Sequence, residues 1–186
     1  LLISATPGSA RIHLSETRYE NPAEAPMFCM LMRKHLMGGR VTSIKQLGGD
    51  RLIEIRVQSR DELESAREKI LYFEAMGKHS NLSMVEDGRI IDVLRRVSPD
   101  MSRVRQMLPG LPFEMPPAQD KLDPGAIEKS VLLRRLEAFS GPLSRFLTEH
   151  VTGVSRQTAQ ELALRLAGVS EALVSELDKP ALADRM

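Results

Sequence analysis

The chain has 186 residues, 42% of them hydrophobic, enough to supply a real core for one large domain or two small ones. With 26 Lys and Arg against 25 Asp and Glu the net charge is +1, which excludes a uniformly basic surface and leaves any nucleic-acid affinity to local patches. One cysteine, Cys29, excludes an internal disulfide and a multi-cysteine zinc site; no run approaches the roughly 18 apolar residues of a membrane span and no signal peptide is visible, so the chain reads as cytoplasmic, with no membrane partner.

Leu1 to Ser4 and Arg11 to Leu14 are short apolar-rich runs separated by Thr6-Pro7-Gly8-Ser9, and they read as a hairpin. The opening is already strand-like and carries no initiator Met, so the natural N-terminus is expected upstream. A helix follows: Pro26 suits its first turn, Gly38-Gly39 ends it, and Phe28, Leu31, Met32, His35 and Leu36 form a stripe at helical spacing. Met27, Met30 and Met37 extend the apolar character around the cylinder and leave mainly Arg33 and Lys34 polar, which predicts a largely buried helix.

Val41 to Gln46 and Leu52 to Val57 flank Gly48-Gly49-Asp50, a hairpin signal; Lys69 to Phe73 is a further strand; Leu82 to Val85 and Arg89 to Asp92 flank Asp87-Gly88, a second tight hairpin. Charge is uneven here. Between residues 33 and 60 seven basic residues face Asp50 and Glu54, whereas between 61 and 74 five acids face Arg67 and Lys69. From Leu108 to Pro124 five prolines argue for an extended connector, and from Ala126 to Leu177 the pattern is helical. The expected organisation is therefore a β-rich lobe over 1–107, a connector over 108–124 and a helical lobe over 125–186.

No pair of carboxylates sits in a recognisable catalytic motif, and His13, His35, His79 and His150 lack metal-ligand spacing, so no catalytic residue, metal or cofactor is expected and the chain does not read as an enzyme. Gly77-Lys78 fails as a phosphate-binding P-loop, because Tyr72 and His79 stand where Gly and Ser or Thr are needed. Val151 to Gly168, VTGVSRQTAQELALRLAG, resembles a helix-hairpin-helix, in which backbone N–H groups at the start of the second helix meet a phosphate. Gly153, Val154, Ser155 and Arg156 are the candidate phosphate contacts. Ser155 and Gln157 stand where Gly and Lys are common, so simple helix packing is the competing reading, with Ser155 as a cap. Arg95, Arg96, Arg103 and Arg105 form a second basic group whose default is solvated surface.

Five strings together, ISATPGSARIHLS, FCMLMRKHL, QLGGDR, MGKHSN and RQMLPG with the PPAQDK that follows, resemble the N-terminal NFACT domain of the fibronectin-binding protein A and RqcH family, from Leu1 to about Gly168. The resemblance implies an α+β fold similar to the MutM glycosylase architecture: an antiparallel β-rich lobe with a buried helix, then a helical lobe containing a helix-hairpin-helix. It does not carry the glycosylase chemistry, which needs an N-terminal proline and a cysteine zinc finger. It implies a fragment of a longer protein that binds tRNA and the large ribosomal subunit with stranded peptidyl-tRNA, recruits tRNA and promotes C-terminal alanine tailing. Asp50 and Arg51 match a pair implicated in tRNA recognition, with Arg33, Lys34, Lys78 and His79 as basic neighbours; a turn residue followed by an exposed strand residue explains the same local sequence. A fibronectin-binding surface adhesin and a DNA-binding relative of the glycosylases are the alternatives.

Overall fold

Residues 52–57 run Leu, Ile, Glu, Ile, Arg, Val, so a strand here presents Ile53, Ile55 and Val57 to one side and Leu52, Glu54 and Arg56 to the other. The computed structural model, which describes residues 1–48, 50–60, 66–117 and 119–186, builds a sheet around this alternation with apolar clusters on both faces. The chain divides into two units, Leu1–Pro116 and Pro117–Met186.

In the first unit a short antiparallel pair, β1 (Leu2–Ser4) and β2 (Arg11–His13), precedes helix α1 (Met27–Leu36). A five-stranded antiparallel meander follows: β3 (Arg40–Gln46), β4 (Leu52–Arg60), β5 (Ala66–Glu74), β6 (Asn81–Glu86) and β7 (Arg89–Val93), each strand bonded to the next. At the β6–β7 turn Asp87 and Gly88 adopt φ of 48° and 73°, the left-handed pair that a two-residue hairpin turn needs to match strand twist. The β3–β4 hairpin is likewise formed, with Gly49 of its expected turn outside the described residues.

One sheet face carries Ile55, Val57, Leu71, Phe73, Leu82 and Met84 under Phe28 of α1 and Ala5 after β1. The other packs Leu52, Tyr72, Val85, Ile90 and Val93 against Met107 and Phe113. The expected connector is corrected at its start: Gly110 N donates to Ile90 O at 2.7 Å, Ile90 N to Leu111 O at 2.9 Å and Phe113 N to Gly88 O at 2.8 Å. Pro109 and Pro112 have no N–H to offer, and the residues between and after them make the pairing instead.

Helix α1 is not largely buried. Phe28 is its buried residue, while Met27, Met30 and Met37 are 68%, 56% and 76% exposed. The helix packs on β4 and β7 through the Phe28, Leu31, Met32 and Leu36 stripe, and no second layer among the described residues covers its outer side.

The second unit gathers α2 (Lys129–Glu137), α3 (Leu143–His150), α4 (Arg156–Ala167) and α5 (Lys179–Arg185) around Leu132, Leu136, Leu143, Phe146 and Leu147. Ala159 and Ala163 of α4 are fully buried, and their small side chains let α4 pack closely in this core.

Candidate nucleic-acid interface

Asp50 is half-buried at the mouth of the β3–β4 hairpin, where Gln46 Nε2 donates to its carbonyl at 2.8 Å. Its Oδ1 accepts from the backbone N–H of Arg51 at 2.7 Å. Both residues precede β4 in a bend, so what separates their charges is not strand alternation but this hydrogen bond: the carboxylate holds the backbone and not the guanidinium. Arg51 is exposed, and its guanidinium meets no hydrogen-bond or ion-pair partner among the described residues. Its carbonyl is fixed, accepting from Ala75 N at 2.8 Å.

That bond ties the hairpin to the β5–β6 connection. There a 3-10 turn, Gly77–His79, is closed by Ser80, whose N–H and Oγ both donate to Gly77 O at 3.1 and 2.8 Å, and it leaves Lys78 and His79 exposed. Asn81 is buried and works as a brace: its Nδ2 donates to Arg95 O at 2.8 Å, and its Oδ1 accepts from Arg95 N at 2.9 Å and Leu82 N at 3.0 Å. Leu52 pairs with Glu74 and Glu74 with Asn81, so Arg51, Lys78, His79 and Arg95 come to one end of the sheet. Four adjacent strands at a spacing of about 4.8 Å give this end a width of roughly 14 Å. Arg33 and Lys34 are placed elsewhere. They occupy the last turn of α1, which leads to Arg40 at the far end of β3, roughly 20 Å of strand from Gln46.

Acids of β4 and β5 have part-buried partners. Arg105, expected as solvated surface, instead donates to both oxygens of Glu74 at 2.9 and 2.8 Å. Its remaining nitrogens have no hydrogen-bond partner among the described residues, and the guanidinium lies 5.1 Å from the centre of the Phe113 ring. Phe113 in turn stacks on Tyr72 at 4.1 Å. Arg56 donates to Glu54 and to Glu68, each at 2.7 Å, and Tyr72 donates to Glu54 at 3.2 Å. The Arg56 bond holds the Glu54 carboxyl below its usual range against the opposing effect of burial, and burial together with the Glu54 charge raises the Tyr72 phenol. Nothing in the local sequence marks Arg105 as paired and half-buried, because its partner is 31 residues away.

In the second unit, α3 and α4 are joined by a turn in which Gly153 has φ 76°, a conformation that disfavours a Cβ. Thr152 N donates to Leu122 O at 2.9 Å, anchoring the turn. Ser155 is in extended backbone and caps α4, its Oγ accepting from Thr158 N at 3.1 Å. A glycine at 155 is therefore not required. Gly153, Ser155 and Arg156 are exposed and Val154 half-buried, so the turn and the first residue of α4 present themselves together. His150 is stacked on Phe146, 4.8 Å between ring centres. Among the described residues no group of three or more His, Cys, Asp or Glu side chains could hold a metal, and no helix is long and apolar enough to cross a membrane.

The family model described as NFACT N-terminal and middle domains matches residues 1–184. The chain belongs to the NFACT N-terminal family. It is similar to the Rqc2 homolog RqcH of Bacillus subtilis, 41% identical over 172 residues, covering 91% of this chain and 30% of that protein. The Rqc2 homolog RqcH of Streptococcus pneumoniae is 35% identical, covering 87% of this chain and again 30% of the relative. This NFACT chain thus spans about a third of the curated relatives it matches. The solved N-terminal domain of fibronectin-binding protein PavA from Streptococcus pneumoniae superposes with a TM-score of 0.79 at 34% identity, covering 89% of this chain and 62% of that one. The N-terminal part of the fibronectin/fibrinogen-binding protein of Streptococcus suis gives 0.78 at 29% identity, with 98% and 66% covered.

Proposed function

We propose that this chain is the tRNA- and large-ribosomal-subunit-binding part of a cytoplasmic ribosome-associated quality control factor, one that recruits tRNA and promotes C-terminal alanine tailing of stalled nascent chains. The observation that carries the reading is the gathering of Arg51, Lys78 and His79 at one sheet end, beside Asp50, in a chain similar to RqcH. Arg51 forks onto a phosphate or stacks on a splayed loop base, and the free oxygen of Asp50 accepts from a 2′-hydroxyl or an exocyclic amine. Arg33 and Lys34 form a separate basic contact from the end of α1. The α3–α4 turn acts as a helix-hairpin-helix of the kind found in the MutM architecture, offering the backbone around Gly153 to Arg156 to a phosphate. The chain supplies recognition, while peptide-bond chemistry belongs to the ribosome, so no cofactor is used.

The test is tRNA affinity at two salt concentrations for the intact protein and an Asp50→Ala, Arg51→Ala double variant. A bidentate base contact by Arg51 is worth about 1–3 kcal/mol. Unchanged binding in the variant removes the assignment. A second reading, fibronectin binding, is favoured by the names of the two structural neighbours and expects saturable fibronectin binding that the double variant leaves intact.

A further inference from the structure

The string from Ile3 to Ser15 has no part in the surface proposed above, yet it borders that surface. Beside β1 and the residues that follow β7 lies a groove of 510 Å³, lined by Ser4, Thr6, Arg11, Leu94 and Arg95 together with apolar neighbours of β1. Its lining holds two guanidinium groups and two hydroxyls and no carboxylate, in a chain whose acids and bases are almost equal in number. Arg95 is presented by its backbone alone: Asn81 holds both its N–H and its C=O, at 2.9 and 2.8 Å, while its guanidinium has no hydrogen-bond or ion-pair partner among the described residues. Arg11 donates one terminal nitrogen to Ser9 O at 2.9 Å and keeps the rest of its fork. The Ser4 and Thr6 hydroxyls are 3.2 Å apart. Two planar forks and the Thr6 hydroxyl, which accepts from Ser4 Oγ and keeps its own proton, match the oxygens of a phosphate, which accept and never donate when ionised.

We infer that this groove binds a phosphodiester of an RNA backbone. Arg95 is shared between the groove and the basic sheet end, so one strand that meets Arg51 and Lys78 continues onto Arg95 and Arg11. This assignment rests on the tRNA reading and adds to it a contact outside the Asp50–Arg51 hairpin.

The experiment compares tRNA binding by the full chain and by an Arg11→Gln, Arg95→Gln double variant at 50 and 200 mM salt, with folding checked by urea midpoint, which should hardly move because the Asn81 clamp uses only the backbone of Arg95 and the Arg11 bond to Ser9 O is solvent-exposed. Losing two phosphate contacts flattens the slope of log K against log salt by about 1.4, so the affinity advantage of the unaltered chain shrinks about sevenfold between the two salt concentrations. Arg95→Lys keeps the charge and should keep the slope. If the unaltered chain binds tRNA and the double variant retains both affinity and slope, this inference falls and the tRNA reading stands. If the unaltered chain does not bind tRNA, both fall. Saturable binding of inorganic phosphate that the double variant loses, with tRNA slopes equal, reassigns the groove to a free anion and overturns the RNA assignment.

Discussion

Replacing Asn81 by Ala should cost about 2–4 kcal/mol of folding stability. Its amide group makes three hydrogen bonds, to Arg95 O, Arg95 N and Leu82 N, and the side chain is 4% exposed. A buried polar group left without a partner costs about 1–3 kcal/mol. Leu82 N–H is buried and carries a cost of that order, whereas the two groups of half-buried Arg95 recover part of theirs from water, which brings the sum to the stated range. Domains of this size are stable by about 5–15 kcal/mol, so the loss shows directly in the urea midpoint at unchanged m value. Asn81→Asp separates donor from acceptor: it keeps an oxygen for both N–H groups and loses the bond to Arg95 O, so it should fall between Ala and the unaltered chain. A stability change below about 0.5 kcal/mol for Asn81→Ala, well short of one orphaned group, refutes the brace, and doing so with a large loss of tRNA affinity would make Asn81 a contact residue.

Three further outcomes follow from the same geometry. Arg105→Met leaves the buried Glu74 carboxylate without its partner and should destabilise by about 3–5 kcal/mol in urea melts, with much of the loss recovered on adding Glu74→Leu. Because the Glu54 carboxyl is held below its ordinary value near 4.5 by Arg56, its contribution is complete above pH 4.5 and is lost as pH falls through the lowered value. Urea midpoints between pH 3 and 7 should therefore fall less steeply in Glu54→Gln than in the unaltered chain. Ser155→Ala removes the cap of α4 and should cost about 1 kcal/mol, read as a lowered thermal midpoint.

The local readings succeeded where the signal was itself local. Asp87-Gly88 demanded a left-handed pair and obtained it; the alternation through Leu52 to Val57 specified which residues of β4 face which cluster. Sequence reasoning went astray where the deciding partner was remote. Counting apolar residues around α1 showed how much of the helix is suited to burial, but only the sheet beneath determines how much is covered, and it covers one stripe. The prolines from 109 onward read as a connector because each removes a donor; the donors that remain, at Gly110 and Phe113, lie opposite acceptors of the β6–β7 hairpin. Arg105 looks like its neighbours in sequence and is half-buried because Glu74 and Phe113 meet it from other segments. The resemblance groups Arg51 with Lys78 and with Arg33 and Lys34 alike, and only the register Leu52 to Glu74 to Asn81 shows that Lys78 shares the Arg51 end of the sheet.

The positive sheet end of a nearly neutral chain has a physical cause in how its polar groups are divided. Glu74 is taken up by Arg105 and Glu54 by Arg56, while the Asp50 carboxylate holds a backbone N–H. Arg51 and Arg95, by contrast, are fixed through their carbonyl or amide groups, and their guanidinium groups meet no ion-pair partner among the described residues. At physiological salt the screening length is about 8 Å, shorter than the roughly 14 Å width of this sheet end. The cations therefore act one phosphate at a time and contribute little long-range steering. Affinity for a polyanion at this end should rise with the number of contacts engaged together, which is why a salt slope, counting those contacts, discriminates more sharply here than a single dissociation constant.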